Sequence, residues 1–268
     1  MKYAFVNCNI LNGKKDMTVD SGKCILVDDG KITDIIAASN ANTAGYTVKD
    51  LKGAYVSPGL INMHVHLAGN GKPQKKQRDN AKLVRTVMST ALTRKIAYNL
   101  VCSYAKSELL SGVTTIRTMG GIADFDGKLR DEISAGKKIG PRILAANQGI
   151  SVPNGHMAGS VAVAVTTPEE AKKRVEISKN ENVDLVKIMV TGGVLDAKEK
   201  GVPGELKMSP EIVAAVCEKA HAEGYKVAAH AESPEGVRVA LKNGVDSVEH
   251  GAKPDEEIID LFKKRGAF

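Results

Sequence analysis

The stretch SPGLINMHVHLAGNG, residues 57–71, decides the fold class and locates a candidate site. Its apolar first half has the composition of a buried strand, and it ends in His64 and His66 before the chain breaks into glycines. Side chains of a strand alternate between its two faces, so two histidines with one residue between them point to the same side. The stretch therefore predicts a buried strand with two imidazoles at its carboxyl end.

Downstream of this strand, apolar runs of strand length alternate with helical segments. The six strand candidates are LINMHVHL (60–67), GVTTIRTM (112–119), RILAANQ (142–148), VDLVKIMV (183–190), KVAAHA (226–231) and GVDSVEHG (244–251). Two of the helical segments begin with a capping residue followed by proline, at Thr167 and Ser209, which is typical of helix starts. Strand and helix repeated six times predict parallel β/α units.

An open doubly wound sheet and a closed barrel both fit that alternation. A dinucleotide-binding sheet would need a GxGxxG turn after its first strand, and none follows a strand here. The unusual polar residues lie at or just past the carboxyl ends of different strands, which is how a (β/α)8 barrel displays its active site. We therefore predict an α/β fold, a TIM-type (β/α)8 barrel with about six of its units present, over residues 56–268.

Residues 1–55 have a different pattern of short alternating or β-branched runs. Asp29-Gly30, between ILVD and KITDII, is a strong signal for a β-hairpin. We predict that residues 1–55 form part of a small β-sandwich domain.

Composition limits the classes of partner. The chain has no apolar run of about 18 residues and no signal-peptide core, so we expect a cytoplasmic protein without a membrane partner. The net charge of +7 is dispersed and lacks stacking aromatic residues, so we expect no nucleic-acid partner. A homo-oligomer is expected. The four cysteines have no metal-binding spacing and are interpreted as buried hydrophobic residues: Cys8, Cys24, Cys102 and Cys217.

Five residues that can bind metal or be tuned chemically come from four of the predicted strands: His64, His66, Lys187, His230 and His250. Taken singly, a histidine at a strand end is more often a core or rim residue. A lysine in an apolar strand can extend its amine to solvent or pair with an aspartate. Together they are more informative, because four of the six histidines occupy equivalent places and imidazole is a common ligand for zinc, nickel and iron.

These residues carry a family resemblance. The strand SPGLINMHVH, the single strand lysine, and the histidines of AAHA and VEHG resemble the amidohydrolase superfamily of metal-dependent hydrolases. TTIRTMGG, GISVPNGHMAG, VKIMVTGGV and residues 226–252 resemble its imidazolonepropionase-like and prolidase-like branch, which includes Xaa-Pro dipeptidases. The resemblance runs from about residue 3 to the end of the chain.

The resemblance implies a centre of two divalent metal ions, expected to be zinc. His64 and His66 would bind the more buried ion, and His230 and His250 the second. Lys187, carboxylated by carbon dioxide, would bridge the two. Such a pair activates a bridging water as hydroxide, so Lys187 and His230 are the expected catalytic residues.

Two further histidines receive different interpretations. In the resembling enzymes a histidine at the position of His156 contacts the substrate, so His156 is a candidate substrate-binding residue. The alternative is a loop histidine bonded to backbone. His221, near the end of a helix, is interpreted as structural.

The functional expectation is a metal-dependent hydrolase of C–N bonds in small substrates, namely a dipeptidase or an N-acyl amino acid hydrolase. A cyclic amidohydrolase of the imidazolonepropionase type is the alternative within the same chemistry. An alternative of another class is a non-catalytic assembly protein with the amidohydrolase fold. Nucleic-acid binding rests on net charge alone.

The chain departs from the family pattern at its end. The superfamily uses an aspartate after the eighth strand, in a stretch such as GTDAG, and the sequence contains no such stretch. It ends in LFKKRGAF, where a seventh strand would begin. We expect the remainder of the polypeptide, with the catalytic aspartate, to follow Phe268.

The segment from Gly69 to about Lys82 begins at the predicted catalytic face and is expected to cover the site. Its basic residues are either solvated loop charges or contacts for a substrate carboxylate: Lys72, Lys75, Lys76 and Arg78.

Overall fold

The computed structural model describes residues 1–71, 79–193, 199 and 204–268. The basic residues of the segment expected to cover the site lie outside these ranges. Within these ranges the chain divides into two compact units, Met1–Leu60 and Ile61–Phe268. The predicted domains, residues 1–55 and 56–268, stay a prediction.

The first unit contains one five-stranded sheet. Its strands are β1 (Lys2–Leu11), β2 (Val19–Asp28), β3 (Lys31–Ala37), β4 (Thr47–Asp50) and β5 (Tyr55–Val56), and a 3-10 turn spans Ala38–Asn40. Strands β1, β2 and β3 pair antiparallel, whereas β4 and β5 pair parallel with β1. Asp29 and Gly30 both have positive φ, at 47° and 74°, as a tight hairpin turn requires.

The second unit alternates strands and helices. Its strands are β6 (Leu60–Val65), β7 (Val113–Thr118), β8 (Arg142–Leu144), β9 (Gly149–Ser151), β10 (Ala162–Ala164), β11 (Val186–Met189), β12 (Val227–Ala231) and β13 (Ser247–His250). Its helices are α1 (Asn80–Met88), α2 (Ala91–Leu110), α3 (Phe125–Ser134), α4 (Pro168–Asn180), α5 (Pro210–Ala222), α6 (Pro234–Lys242) and α7 (Glu256–Arg265). All six predicted strands are present as β6, β7, β8, β11, β12 and β13, and β9 and β10 are additional.

The strands of the second unit form two sheets, in the orders β6-β7-β8 and β10-β9-β11-β12-β13. The ladders between β7 and β8, and those that join β9 through β13, are parallel. Between the two sheets, the Asp184 amide donates to the Ala145 carbonyl at 2.8 Å. The unit is thus a mixed α/β fold with parallel sheets, consistent with a partial TIM-type barrel.

Helix caps and core packing together determine where the strands end. Thr167 and Ser209 each accept a hydrogen bond from a backbone amide in the first turn of α4 and α5, and proline follows each of them as predicted. The largest core cluster packs β11 and β12 against α5, with Ile188 and Val213 fully buried. Because parallel strands share their polarity, this packing places the carboxyl ends of β11, β12 and β13 side by side.

Among the described helices, none combines the length and the apolar character needed to cross a bilayer.

Candidate metal centre

Five of the six histidines form one cluster at the carboxyl ends of the strands. The ring centroid of His64 lies 5.1 Å from that of His66 and 4.7 Å from that of His250. The His230 ring lies 4.8 Å from the His250 ring and 4.1 Å from the His156 ring. The structure therefore brings together every histidine that the sequence placed at a site.

The imidazoles of His64 and His66 face each other through their Nε2 atoms, which are 3.2 Å apart. On the far side of each ring, Nδ1 has a partner: Glu249 Oε2 at 2.9 Å from His64, and the Gly120 carbonyl at 2.9 Å from His66. A carbonyl can only accept, so Nδ1 of His66 carries the proton and its Nε2 has a free lone pair. Fixing the tautomer through the other ring nitrogen is how proteins prepare a histidine to bind metal.

Lys187 is the buried basic group of the cluster. It lies in β11 with 1% of its surface exposed, and its Nζ has no hydrogen-bond partner among the described residues. Burial lowers the pKa of Lys187 to about 7; Glu249 opposes the shift and Arg117 adds to it. An amine with this pKa is about half neutral at pH 7, and carbamate formation requires the neutral amine.

A second group of donors lies at the ends of β12 and β13. The ligand atoms of His230, Glu232 and His250 all lie within 4.8 Å of one another. Glu232 Oε2 is buried and has no hydrogen-bond partner among the described residues. Sequence reasoning missed Glu232, although it lies two residues after His230, just past the end of β12, and alternate residues of a strand share a face.

Three imidazoles of the cluster, those of His66, His230 and His250, have a lowered pKa. Burial is the main cause that lowers the pKa of His66 and of His250 to about 4 and that of His230 to about 2. Repulsion from neighbouring histidines and Lys187 adds to each shift. A pKa below 7 leaves a nitrogen lone pair available, as a metal ligand requires.

His156 lies in the loop after β9 and is 9% exposed. The Ser151 hydroxyl donates to its carbonyl at 2.9 Å, and its ring stacks on His230 with an interplanar angle of 12°. The predicted substrate-binding residue therefore lies in the cluster, and its role stays a prediction. His221 lies apart from the cluster, with Nε2 2.7 Å from Asp246 Oδ2, as its structural interpretation requires.

Arg117 and Glu249 were also missed by sequence reasoning. Arg117 donates from Nη2 to Glu249 Oε1 at 2.7 Å. Burial alone would raise the pKa of Glu249, but the hydrogen bond from His64 and the charges of Lys187 and Arg117 lower it to about 2. The signal available in the sequence was a charged residue inside each of two strand patterns, TTIRTM and SVEH.

The model of the Amidohydrolase family matches residues 55–268. The structure of a candidate prolidase from Bifidobacterium longum is similar, with 37% sequence identity and a TM-score of 0.78 over 98% of this chain and 57% of that one. A Xaa-Pro dipeptidase with methionine bound in its active site is 31% identical, with a TM-score of 0.79 over 100% of this chain and 66% of that one.

Among curated sequences, ochratoxinase from Aspergillus niger is 25% identical over 182 residues. That alignment covers 59% of this chain and 37% of ochratoxinase. The chain thus spans from 37% to 66% of the length of these three relatives.

Gly193 generates a testable prediction, because its missing side chain makes room for the cluster. A Cβ at Gly193 would lie 2.7 Å from His156 Cε1 and 3.2 Å from His230 Cε1, whereas among the described residues one at Gly192 would meet nothing closer than 3.8 Å. We expect Gly193→Ala to displace the stacked rings at a cost of about 1–3 kcal/mol in stability and to reduce metal content. Gly192→Ala is the matched control. Metal analysis and denaturant unfolding of both variants measure the effect, and equal results for the two would contradict it.

Proposed function

Because the chain belongs to the amidohydrolase family, as its motifs predicted, we propose that the protein is a metal-dependent hydrolase of amide or peptide bonds in small substrates. Dipeptides and N-acyl amino acids are the substrate classes that we favour. The observation that carries the proposal is that His66, His230 and His250 lie close enough to the buried Lys187 for its charge to lower their pKa values, while its Nζ has no hydrogen-bond partner among the described residues. The similarity to a Xaa-Pro dipeptidase and to a candidate prolidase supports the choice of dipeptides.

The donor set fits divalent metal ions. His64 and His66 would hold one ion, because their Nε2 atoms converge. His230 and His250 would hold a second, with the carboxylate of Glu232 beside them. Imidazole nitrogen and carboxylate oxygen are the ligands of catalytic zinc sites, and zinc is the ion that we propose.

Lys187 would join the two sites as a carbamate. Its neutral Nζ would attack the carbon of carbon dioxide. A C–N bond forms, the π electrons of one C=O bond move to its oxygen, and the nitrogen releases one proton to water. The product is an anion with two oxygens, in the place where a protonated amine would repel cations. The burial of Lys187 in β11 supports this assignment, because solvation of a charged amine is lost there.

The remaining residues of the site would position and bind the substrate. When bound, the metal ions supply Lewis acidity and bring the pKa of water toward neutrality. His156, stacked on His230, would donate a hydrogen bond to the carbonyl or carboxylate of the substrate. The buried walls around Lys187 and His230 exclude bulk water, which strengthens each polar contact with the substrate.

We further propose that the parallel strands of the second unit belong to a (β/α)8 barrel and that the first unit belongs to a β-sandwich. A cytoplasmic location and a homo-oligomeric state remain predictions. So does the absence of a nucleic-acid partner.

The substrate class is tested with a panel of Xaa-Pro dipeptides, other dipeptides, N-acyl amino acids and cyclic amides, assayed with the zinc-loaded complete protein. We expect hydrolysis of dipeptides or N-acyl amino acids. In these substrates the metal ions would polarise the amide carbonyl, and His156 would bind the neighbouring carboxylate. Hydrolysis of cyclic amides alone would favour the imidazolonepropionase-like alternative. A zinc-loaded protein that hydrolyses nothing in the panel would favour the non-catalytic assembly protein.

Metal content is the second test. The protein purified without added metal should contain about two zinc ions per chain, as a binuclear hydrolytic site does. His64→Asn should lose at least one of them, because one of the two facing nitrogen ligands is removed. His221→Asn is the matched control, since His221 lies outside the cluster. Elemental analysis gives the result, and unchanged zinc in His64→Asn would count against the assignment.

The carbamate is the third test. Protein equilibrated with ¹³C-labelled carbon dioxide should show a carbamate carbon resonance that Lys187→Ala lacks. The variant should also lose most activity, and short carboxylic acids should restore part of it by occupying the place of the carbamate. Lys226→Ala, at a lysine whose side chain is 81% exposed, is the control. A Lys187→Ala variant with full activity and both metal ions would refute the carbamate.

A further inference from the structure

A carboxylate and a guanidinium lie directly behind the first histidine of the cluster. Glu249 Oε2 is 2.9 Å from Nδ1 of His64, on the side of the ring opposite to His66. Oε1 of the same carboxylate accepts from Arg117 Nη2 at 2.7 Å and from the Ser247 hydroxyl at 3.0 Å. Both oxygens are therefore occupied, one by the Arg117 and Ser247 pair and the other by His64.

Arg117 in β7 holds this carboxylate in place and bonds to residues of both β6 and β13. Its Nε donates to the Met63 carbonyl at 2.9 Å, and its Nη1 lies 3.4 Å from the Ser247 hydroxyl. Met63 immediately precedes His64, so the same guanidinium fixes both the backbone that carries the imidazole and the carboxylate that meets it. Arg117 and Glu249 are 9% and 7% exposed, so water competes little for either charge.

The backbone at His250 allows Glu249 to reach His64. Neighbouring residues of a strand point to opposite faces, so Glu249 and His250 would ordinarily be separated by the sheet. His250 has a left-handed φ of 66°, and the Gly251 amide donates to the Glu249 carbonyl at 2.8 Å. With the alternation broken, Glu249 meets His64 while the His250 ring lies 4.7 Å from the same ring.

The direction of the hydrogen bond from His64 follows from this arrangement. An arginine side chain carries only donors and stays protonated, so the carboxylate that it holds is ionised and can only accept. Nδ1 of His64 must then be the donor. Its proton is on Nδ1, and the lone pair of Nε2 points toward His66.

We propose that Glu249 is a positioning residue that fixes the tautomer and orientation of His64, with Arg117 holding Glu249. The inference rests on the metal centre of the proposed function. It adds that the affinity of the His64 and His66 pair for metal is set by a carboxylate that does not itself touch the metal ion.

The variant Glu249→Gln separates this role from that of a structural ion pair. Arg117 only donates, so it selects the carbonyl of the new amide and turns the amide nitrogen toward His64. Nδ1 of His64 must then accept, and its proton moves to Nε2, where it blocks the lone pair. A purely structural pair would change stability without changing the tautomer. Ser247→Ala is the matched control, because it removes one hydrogen bond to Oε1 and leaves the contact with His64.

The experiment measures both consequences in the complete protein. Nitrogen-15 NMR of the metal-free wild type, with the His64 signals assigned by their loss in His64→Asn, should show the proton of His64 on Nδ1. Glu249→Gln should show it on Nε2, and competition with a chelator should show zinc affinity lower by about 10- to 100-fold. Ser247→Ala should keep the wild-type tautomer and lose less than about 3-fold in zinc affinity, because Ser247 contacts Glu249 and acts on His64 only indirectly.

The outcomes are separable. A wild-type His64 protonated on Nε2 would overturn the inference, and this measurement decides it even if Glu249→Gln fails to fold. A folded Glu249→Gln with wild-type tautomer and zinc affinity would overturn it too. A wild type that binds no zinc would refute the proposed metal centre, while the tautomer would still decide whether Glu249 positions His64.

Discussion

The site depends on one electrostatic constraint, which is that five imidazoles lie close to one another and to the buried amine of Lys187 at the ends of parallel strands. Burial removes the solvation of any charge there, and neighbouring cations would repel one another. The result is a set of lowered pKa values, those of Lys187, His66, His230 and His250. Glu249, ionised and bound to Arg117, is the anion that opposes this shift at Lys187.

Strand register explains how residues distant in sequence reach this space. In the parallel ladders, Met189 is the partner of His230, and His230 is the partner of Glu249. Lys187 lies two residues before Met189, on the same face of β11. The ends of β11, β12 and β13 are therefore level, and Lys187, His230 and Glu249 point to the same face of the sheet, opposite to Ile188 and the apolar core.

The sequence predicts the strands and histidines of this site well, because both signals are local. Apolar runs define the six main strands, and each ligand candidate stands out at the end of its run. The short strands β9 and β10, three residues each, have no room for a periodic pattern. Arg117 and Glu249 meet across 132 positions, so their pairing depends on strand order, which periodicity does not encode. The left-handed backbone at His250 is likewise invisible, because histidine there replaces the glycine that such a φ favours.

Three exceptions to local structural rules lie together at the cluster, although others, such as the positive φ of Ala123 and the buried carboxylate of Asp126, lie elsewhere. A non-glycine residue with positive φ costs stability, as does a buried lysine amine or a buried carboxylate oxygen without a partner. His250, Lys187 and Glu232 are these cases, and the ligand atoms of His250 and Glu232 lie within 4.8 Å of each other. A common origin accounts for all three more simply than separate ones do. A site that binds positive ions needs donors without other partners, and it needs a backbone that turns His250 and Glu249 to the same side. The stability given up at these residues is consistent with a preformed metal centre rather than with a core that packs for its own sake.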